Sequence, residues 1–337
     1  MKKLGRTFMA IGLMVTGAAG SAKADVLLSG PDSNDGTYST ASLSTLAIGS
    51  DTVSDGGTGL TGISAWGLLA GASATSPTSP VYGGITTSTP AGDNGKNAIL
   101  RYYLLGTSAS GAQSIVSLGE IDPGFGNTSA FIAFQSNTSG QLAAPELVVP
   151  GAPGRDLTNL TSLQLLSVAA LPAGGGGPST SVQLSGNVKN PGNETLSQLQ
   201  TDFTPVQENV SGDTYTGVLL WTFLDPTDSN ITDQIVTTQG TDGYEVVLAL
   251  AEIDPALGGN PADLLPYADA GTDFPTDGVA RTIYPTDNKH GRWESNLDFV
   301  QVSSVPEPSS LILLTAALIP VTIATRRPKT RITQPRA

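Results

Sequence analysis

The sequence predicts a β-rich α+β body of two tandem domains, followed by a C-terminal transmembrane helix. Three observations carry this. Short alternating apolar runs such as Val182-Gln183-Leu184, Val218 to Phe223 and Tyr244 to Leu250 are separated by Gly/Ser/Thr/Pro clusters, the pattern of strands and turns. The body repeats itself. Both ends of the chain are apolar segments with basic flanks.

The first end is a leader. Lys2, Lys3 and Arg6 precede the apolar stretch Phe8 to Ala19, and Ala22-Lys23-Ala24 forms an A-x-A site. This predicts a signal peptide over 1–24, cleaved before Asp25 by signal peptidase after passage through the Sec machinery.

The body carries five landmarks twice, in the same order. Val26-Leu27-Leu28-Ser29-Gly30 matches Val182-Gln183-Leu184-Ser185-Gly186, and Leu43 and Leu46 match Leu196 and Leu199. Thr61-Gly62 with Trp66 matches Thr216-Gly217 with Trp221, Glu120-Ile121-Asp122-Pro123 matches Glu252-Ile253-Asp254-Pro255, and Gly154-Arg155 with Asn159-Leu160 matches Gly291-Arg292 with Asn296-Leu297. Such a repeat sets the organisation of the fold. Trp66 lies 54 residues before Glu120, but Trp221 only 31 before Glu252, so the first copy holds 23 extra residues. They fall in a polar, Gly/Pro-rich surface loop at about 71–97. The first repeat is placed at 25–170, a Gly/Pro linker at 171–179 and the second repeat at 180–303. Thr195 to Thr201 reads as a short helix with Leu196 and Leu199 on one side.

The last segment, 304–337, holds Val305-Pro306-Glu307-Pro308, the apolar stretch 309–325 and then Arg326-Arg327. The two prolines fix φ and remove two donors, which predicts an extended, accessible element. Leu311 to Thr325 covers only about 22 Å as a helix against about 30 Å of hydrocarbon. Ser309, Ser310 and snorkelling arginines extend it to a marginal transmembrane segment over 309–325. The tail closely resembles the PEP-CTERM sorting signal of Gram-negative bacteria. That resemblance implies export, anchoring at the inner membrane, processing by an exosortase-type membrane enzyme, and release to the cell surface or extracellular space.

Charge and composition exclude several functions. Seven basic and 28 acidic residues lie between Asp25 and Ser304, a net charge of −21. Such a body repels nucleic acid and anionic lipid. The absence of cysteine excludes disulfides, thiolate ligands and a cysteine nucleophile, and a single histidine, His290, excludes a multi-histidine metal centre.

The second copy continues its series with Asn187-Val188-Lys189-Asn190-Pro191, Tyr215 to Trp221, Gly243 to Pro255 and His290-Gly291-Arg292-Trp293. This order resembles the molybdopterin-binding domain of sulfite oxidase-type oxidoreductases, over about 180–303 and more faintly over 26–168. The resemblance implies two tandem sulfite oxidase-like domains. It does not imply their chemistry. That family holds molybdenum through a cysteine, and the corresponding segment, Phe203 to Val210, offers only Glu208, a harder and poorer ligand.

Three groups of residues invite a functional reading. Lys289, His290, Arg292 and Trp293 concentrate cationic and aromatic character. They read as an anion or pterin contact, or as a structural turn with Arg292 paired to a carboxylate and Trp293 at the edge of the core. The two Glu-Ile-Asp-Pro segments read as paired carboxylates for acid–base work, or as strand ends whose Asp122 and Asp254 open a turn. Asp32 to Gly36 and Asp225 to Asn230 read as weak calcium loops or as Asx turns; neither fits an EF-hand. The sequence therefore predicts an exported surface or extracellular-matrix protein with a non-catalytic body and no required cofactor or metal. Exopolysaccharide is the expected partner. The alternatives are a molybdopterin-dependent oxidoreductase without its cysteine ligand, and a calcium- or carbohydrate-binding matrix module.

Overall fold

The computed structural model describes residues 25–29, 36–45, 50–70, 98–168, 171, 174–228, 230–274, 276 and 278–305. In the first half the elements are β1 (Val26–Ser29), β2 (Gly36–Tyr38), α1 (Thr40–Leu43), β3 (Asp51–Asp55), β4 (Thr58–Ser64), α2 (Ala65–Ala70), β5 (Tyr102–Ser108), β6 (Gln113–Ser117), α3 (Leu118–Ile121), β7 (Phe131–Ser136), β8 (Gly140–Val148) and β9 (Leu160–Ser167). The second half has the same order: β10 (Val182–Gly186), β11 (Gly192–Glu194), α4 (Leu196–Thr201), β12 (Val206–Val210), β13 (Asp213–Leu219), α5 (Leu220–Leu224), β14 (Gln234–Gly240), β15 (Glu245–Ala249), α6 (Leu250–Ile253), β16 (Leu264–Asp269), β17 (Thr272–Asp273) and β18 (Leu297–Ser304).

These strands form four sheets, ordered β2-β1-β9-β5-β6, β11-β10-β18-β14-β15, β3-β4-β7-β8 and β12-β13-β16-β17. They are the blades of a four-bladed β-propeller with few short helices. Each half of the chain supplies one five-stranded and one four-stranded blade, and its strands alternate between the two. Within each five-stranded blade the first and last strands of the half pair in parallel, β1 with β9 and β10 with β18.

This architecture corrects the expected fold class. Two tandem sulfite oxidase-like domains are not what the described residues form; both halves build one propeller. The physical reason is that the doubled landmarks serve the packing of a repeated β unit rather than a pterin cradle. Thr61-Gly62 and Thr216-Gly217 each mark a shift of strand register, from β4 to β7 and from β13 to β16. A Cβ at Gly62 would lie 2.4 Å from the Ile132 carbonyl oxygen, and one at Gly217 2.4 Å from that of Leu265. Only glycine admits so close a backbone approach at a bulge. Asn159 and Asn296, at φ 55° each, make the left-handed residue just before β9 and β18.

Two assignments shift in detail. Ser39 and Thr195 cap α1 and α4, so Leu43 stands where Leu199 does, one helical turn from the expected match; both are buried. The Gln198 side chain reaches back to the Thr195 N–H at 2.9 Å. Trp66 and Trp221 follow the Thr-Gly element in apolar runs, which predicts core positions; both are half-buried and pack against the cores instead.

No helix among the described residues is long and apolar enough to cross a membrane. The expected transmembrane segment 309–325, with Pro306, Glu307, Pro308, Arg326 and Arg327, lies outside the described residues, as do the leader and the loop 71–97. Val305 is described, and it is buried rather than accessible; its N–H donates to the Asp233 carbonyl at 3.0 Å.

The halves meet over β6 and β15, whose five residues are each buried. Tyr103, Leu105, Ile115, Ile235, Val247, Ala249 and Val305 form one apolar cluster across this junction. The β6 edge is closed by the other half: the Ile115 N–H donates to the Thr232 carbonyl at 2.9 Å, and the Thr232 hydroxyl to that of Gln113 at 2.8 Å. A buried ion pair, Arg101 to Glu245 at 2.7 Å, crosses the same junction. The glycine run is also tied down, since the Gly176 N–H donates to the Thr241 carbonyl at 2.9 Å.

Candidate functional site

A cavity of about 470 Å³ opens where the two halves face each other, lined by Glu120, Arg155, Glu252, Asn260, Asp263 and Arg292 among others. Both repeated motifs arrive here for the same reason. Each Glu-Ile-Asp-Pro begins in a one-turn helix that directly follows a buried strand, β6 or β15. The helix turns its Glu inward. Asp122 and Asp254 then open the turn, accepting from the Gly124 N–H at 2.6 Å and the Ala256 N–H at 2.8 Å. Each Gly-Arg lies in a single 3₁₀ turn before the last strand and sends its guanidinium back to that Glu.

The geometry is near-symmetric. Arg155 grips Glu120 with both terminal nitrogens, Nη2 at 2.7 Å, and also donates to the Ile115 carbonyl at 3.1 Å. Arg292 donates to Glu252 at 2.6 Å and, with Nε at 2.9 Å, to Asp287. All five side chains are buried, the carboxylates at 7% exposure or less. Such bidentate, charge-assisted pairs make the burial tolerable.

The symmetry breaks at one position. Ser117, at the end of β6, sends its hydroxyl across the junction to Glu252 at 2.7 Å and caps Glu120 at 3.1 Å. The equivalent position in the second half is Ala249, which offers only its N–H, to Glu252 at 3.3 Å. Gly119 makes room for the partner arginine, since a Cβ there would lie 2.6 Å from Arg292 Cδ.

The two glutamates titrate apart. Burial raises the Glu120 carboxyl, but the Arg155 charge and hydrogen bonds, a hydrogen bond from Glu252 and the Arg292 charge outweigh it, leaving the pKa below the usual value. Glu252 is pushed up to about 8 by burial and by the Glu120 charge, against the pull of Arg292. Asp263 is likewise raised to about 8 by burial, with Arg292 opposing; Asn260 donates to it at 3.0 Å. At neutral pH the centre therefore holds two arginines against the charges of Glu120 and Asp287, while Glu252 and Asp263 carry protons. That balance makes a buried polar centre affordable in a low dielectric.

Of the residues singled out from sequence, Arg292 belongs to this centre and its cluster mates do not. Lys289 is exposed, and His290 lies flat on Trp293, ring centroids 3.6 Å apart and planes 9° apart, beside a second cavity. Glu208, in the four-stranded blade on β12, lines neither cavity. The Asp225 to Asn230 segment forms an ion pair from Asp225 to Lys189 and an Asx turn from Asp228 to the Asn230 N–H at 3.0 Å. No group of three or more metal-ligating side chains gathers among the described residues. Asp32 to Asp35 lie outside them.

Sequence reasoning missed Ser117 and Glu294. The spacing Ser117-Leu118-Gly119-Glu120 is a capping box and marks the first. Aligning the copies on Gly-Arg and Asn-Leu exposes the second, because Glu294 then stands where the first copy has Leu157. No protein-family model matches the chain, and no curated protein matches it in sequence.

Proposed function

We propose that the chain is an exported protein of the cell surface or extracellular matrix whose body binds rather than catalyses. Its tail would be processed at Val305-Pro306-Glu307-Pro308 by an exosortase-type membrane enzyme, after export through the Sec machinery and leader removal by signal peptidase. One observation supports the binding role above the rest. In the central cavity the arginines and carboxyls hold one another: Arg155 is bonded to Glu120, Arg292 to Glu252 and Asp287, Ser117 to Glu252 and Asn260 to Asp263. The molybdopterin reading rested on the fold resemblance and is withdrawn with it. The net charge of −21 on residues 25–304 suits a solvated surface protein and repels nucleic acid.

Export is tested by fractionating host cells and determining both ends of the mature chain by mass spectrometry. The expected product begins at Asp25, lacks the segment beyond the Pro-Glu-Pro element, and stays at the inner membrane when the exosortase-type enzyme is deleted. A full-length chain in the cytoplasm would sink the proposal.

A second reading is favoured by a specific observation. Glu120 and Glu252 line one cavity with pKa values displaced in opposite directions, the arrangement of an acid–base pair. Hydrolysis of host polysaccharide by the purified chain, lost in Glu252→Gln, would replace the binding role by catalysis.

A further inference from the structure

We propose that the second cavity, about 330 Å³ beside the 3₁₀ turn His290–Arg292, binds a neutral saccharide. The inference deepens the surface-binding role and rests on it for the source of the ligand.

The cavity has a fixed aromatic floor. Trp293 is 8% exposed, its indole N–H donates to the Tyr284 carbonyl at 3.3 Å, and Tyr215 packs edge-on at 6.4 Å. His290 stacks in parallel on its face and is itself exposed. The Tyr244 hydroxyl, bonded to the Gly291 carbonyl, pins the turn that carries this stack. A flat, held ring system of this kind accepts the C–H face of a sugar ring at little cost in conformational entropy.

The cavity also has acceptors with nothing to accept. Glu294 lines it at 1% exposure, and neither carboxyl oxygen has a hydrogen-bond partner. Two donors beside it are engaged elsewhere: the Gly240 N–H donates to the Tyr244 carbonyl at 3.0 Å, and the Thr238 hydroxyl to that of Val246 at 3.5 Å. Asn296 Oδ1, on the same wall, is buried and unpartnered as well. Unpaired buried polar atoms are costly and call for an explanation.

The molecule supplies its own control. The Thr282 N–H donates to the Glu294 carbonyl at 3.0 Å, as the Leu147 N–H does to that of Leu157 at 3.0 Å. The two positions are structurally equivalent, and in the first half an apolar leucine fills the site at 6% exposure. The platform is missing there too, because Pro153 and Asp156 stand where His290 and Trp293 do. Folding of this unit asks only for an apolar group, so Glu294 is placed for something other than folding.

The chemistry narrows the ligand. Open acceptors require donors, which leaves hydroxyl-rich neutral molecules and amines. Burial raises the Glu294 carboxyl well above its usual value, with Thr238 and the Gly240 N–H near enough to oppose the shift. Open carboxyl and amide oxygens beside a flat aromatic stack match the hydroxyls and the C–H face of a sugar ring together, whereas an amine uses only the oxygens. The volume lies within the roughly 300–1,000 Å³ of small-molecule pockets.

The test is calorimetric titration of the purified full chain with neutral gluco-, manno- and galacto-oligosaccharides, and with spermidine as the amine. The wild type is expected to bind at least one saccharide with a 1:1 stoichiometry and to ignore spermidine. Glu294→Leu, which installs the residue of the first half, should weaken binding at least tenfold while the unfolding midpoint holds or rises. His290 is exposed, so His290→Ala keeps the fold and tests the platform alone; it should weaken binding several-fold. No saccharide binding by the wild type, binding untouched by both variants, or binding of spermidine instead would overturn the proposal. A correctly sorted chain that binds no saccharide sinks this site and spares the export role. A saccharide-binding chain that never leaves the cytoplasm does the reverse.

Discussion

The first and second halves of the body have one strand order and one Glu–Arg pair each, yet they spend the same positions differently. The first closes its last turn with Asp156 and Leu157, the second with Trp293 and Glu294. The first contributes Ser117 and Gly119 to the junction, where the second has Ala249 and Ala251. The first half thus shows what the fold needs, and the second shows what has been added. Subtracting one from the other separates packing from recognition without any second protein.

The largest effect expected from breaking this comparison is loss of an arginine. Arg292→Ala strands the Asp287 carboxyl and also takes a donor from Glu252, whereas Arg155→Ala strands Glu120 alone. Removing one partner of a buried pair costs about 3–5 kcal/mol. Denaturant unfolding should place Arg292→Ala at or beyond the top of that range and Arg155→Ala lower; the opposite order would show that the halves are not loaded as described.

Next come the paired glycines. Gly62→Ala and Gly217→Ala each force a methyl group against a carbonyl of the neighbouring strand. Overpacking of this kind costs about 1–3 kcal/mol, and the two variants should match within error. A large difference would mean that the two bulges serve different purposes.

The pH dependence is a sharper probe of the asymmetry. Glu252 holds its proton in the folded state up to about pH 8, while in the unfolded chain it releases it near pH 4. Its contribution is therefore complete at low pH and is lost as pH rises through 8. Glu120 acts in the opposite sense, losing its contribution as pH falls. Unfolding midpoints should decline from pH 5 to pH 8, and Glu252→Gln should flatten that decline; parallel slopes in the two proteins would remove Glu252 as the cause. The smallest effect is expected at the left-handed residues. Asn159→Gly and Asn296→Gly should change stability by less than about 1 kcal/mol, while alanine at either position costs about 1–2 kcal/mol.

Much of the repeat was legible because its landmarks are local necessities. Thr-Gly marks a bulge that admits no side chain, Asn marks a left-handed turn, and Asp-Pro opens a turn after a one-turn helix. Each leaves a residue type that a reader of the sequence can see. What the landmarks share with sulfite oxidase-type domains is this vocabulary of tight β packing, and it misled about the fold because the arrangement of sheets is set by contacts far apart in the chain. The meeting of Glu120 with Glu252 was illegible for the same reason: 132 residues separate them. The candidate cluster at 289–293 was found as a segment, but Arg292 lines one cavity and His290 and Trp293 the other, and no spacing rule could say which. Glu294 escaped notice because a lone acidic residue in an acidic chain looks like surface, and only the leucine in the other copy reveals it as interior.

The order of the strands has a consequence for when the body can fold. Residues Leu297–Ser304 are the last of the body to be made, yet they form the middle of their blade, bonded to β10 on one side and β14 on the other. The first strand of that half must wait for the last one before it gains a neighbour on its inner side. Folding of the second half is thus withheld until the last strand of the body has been made. A chain interrupted before β18 is made leaves the β10 and β14 edges unpaired, so completion of synthesis and closure of the blade become one event.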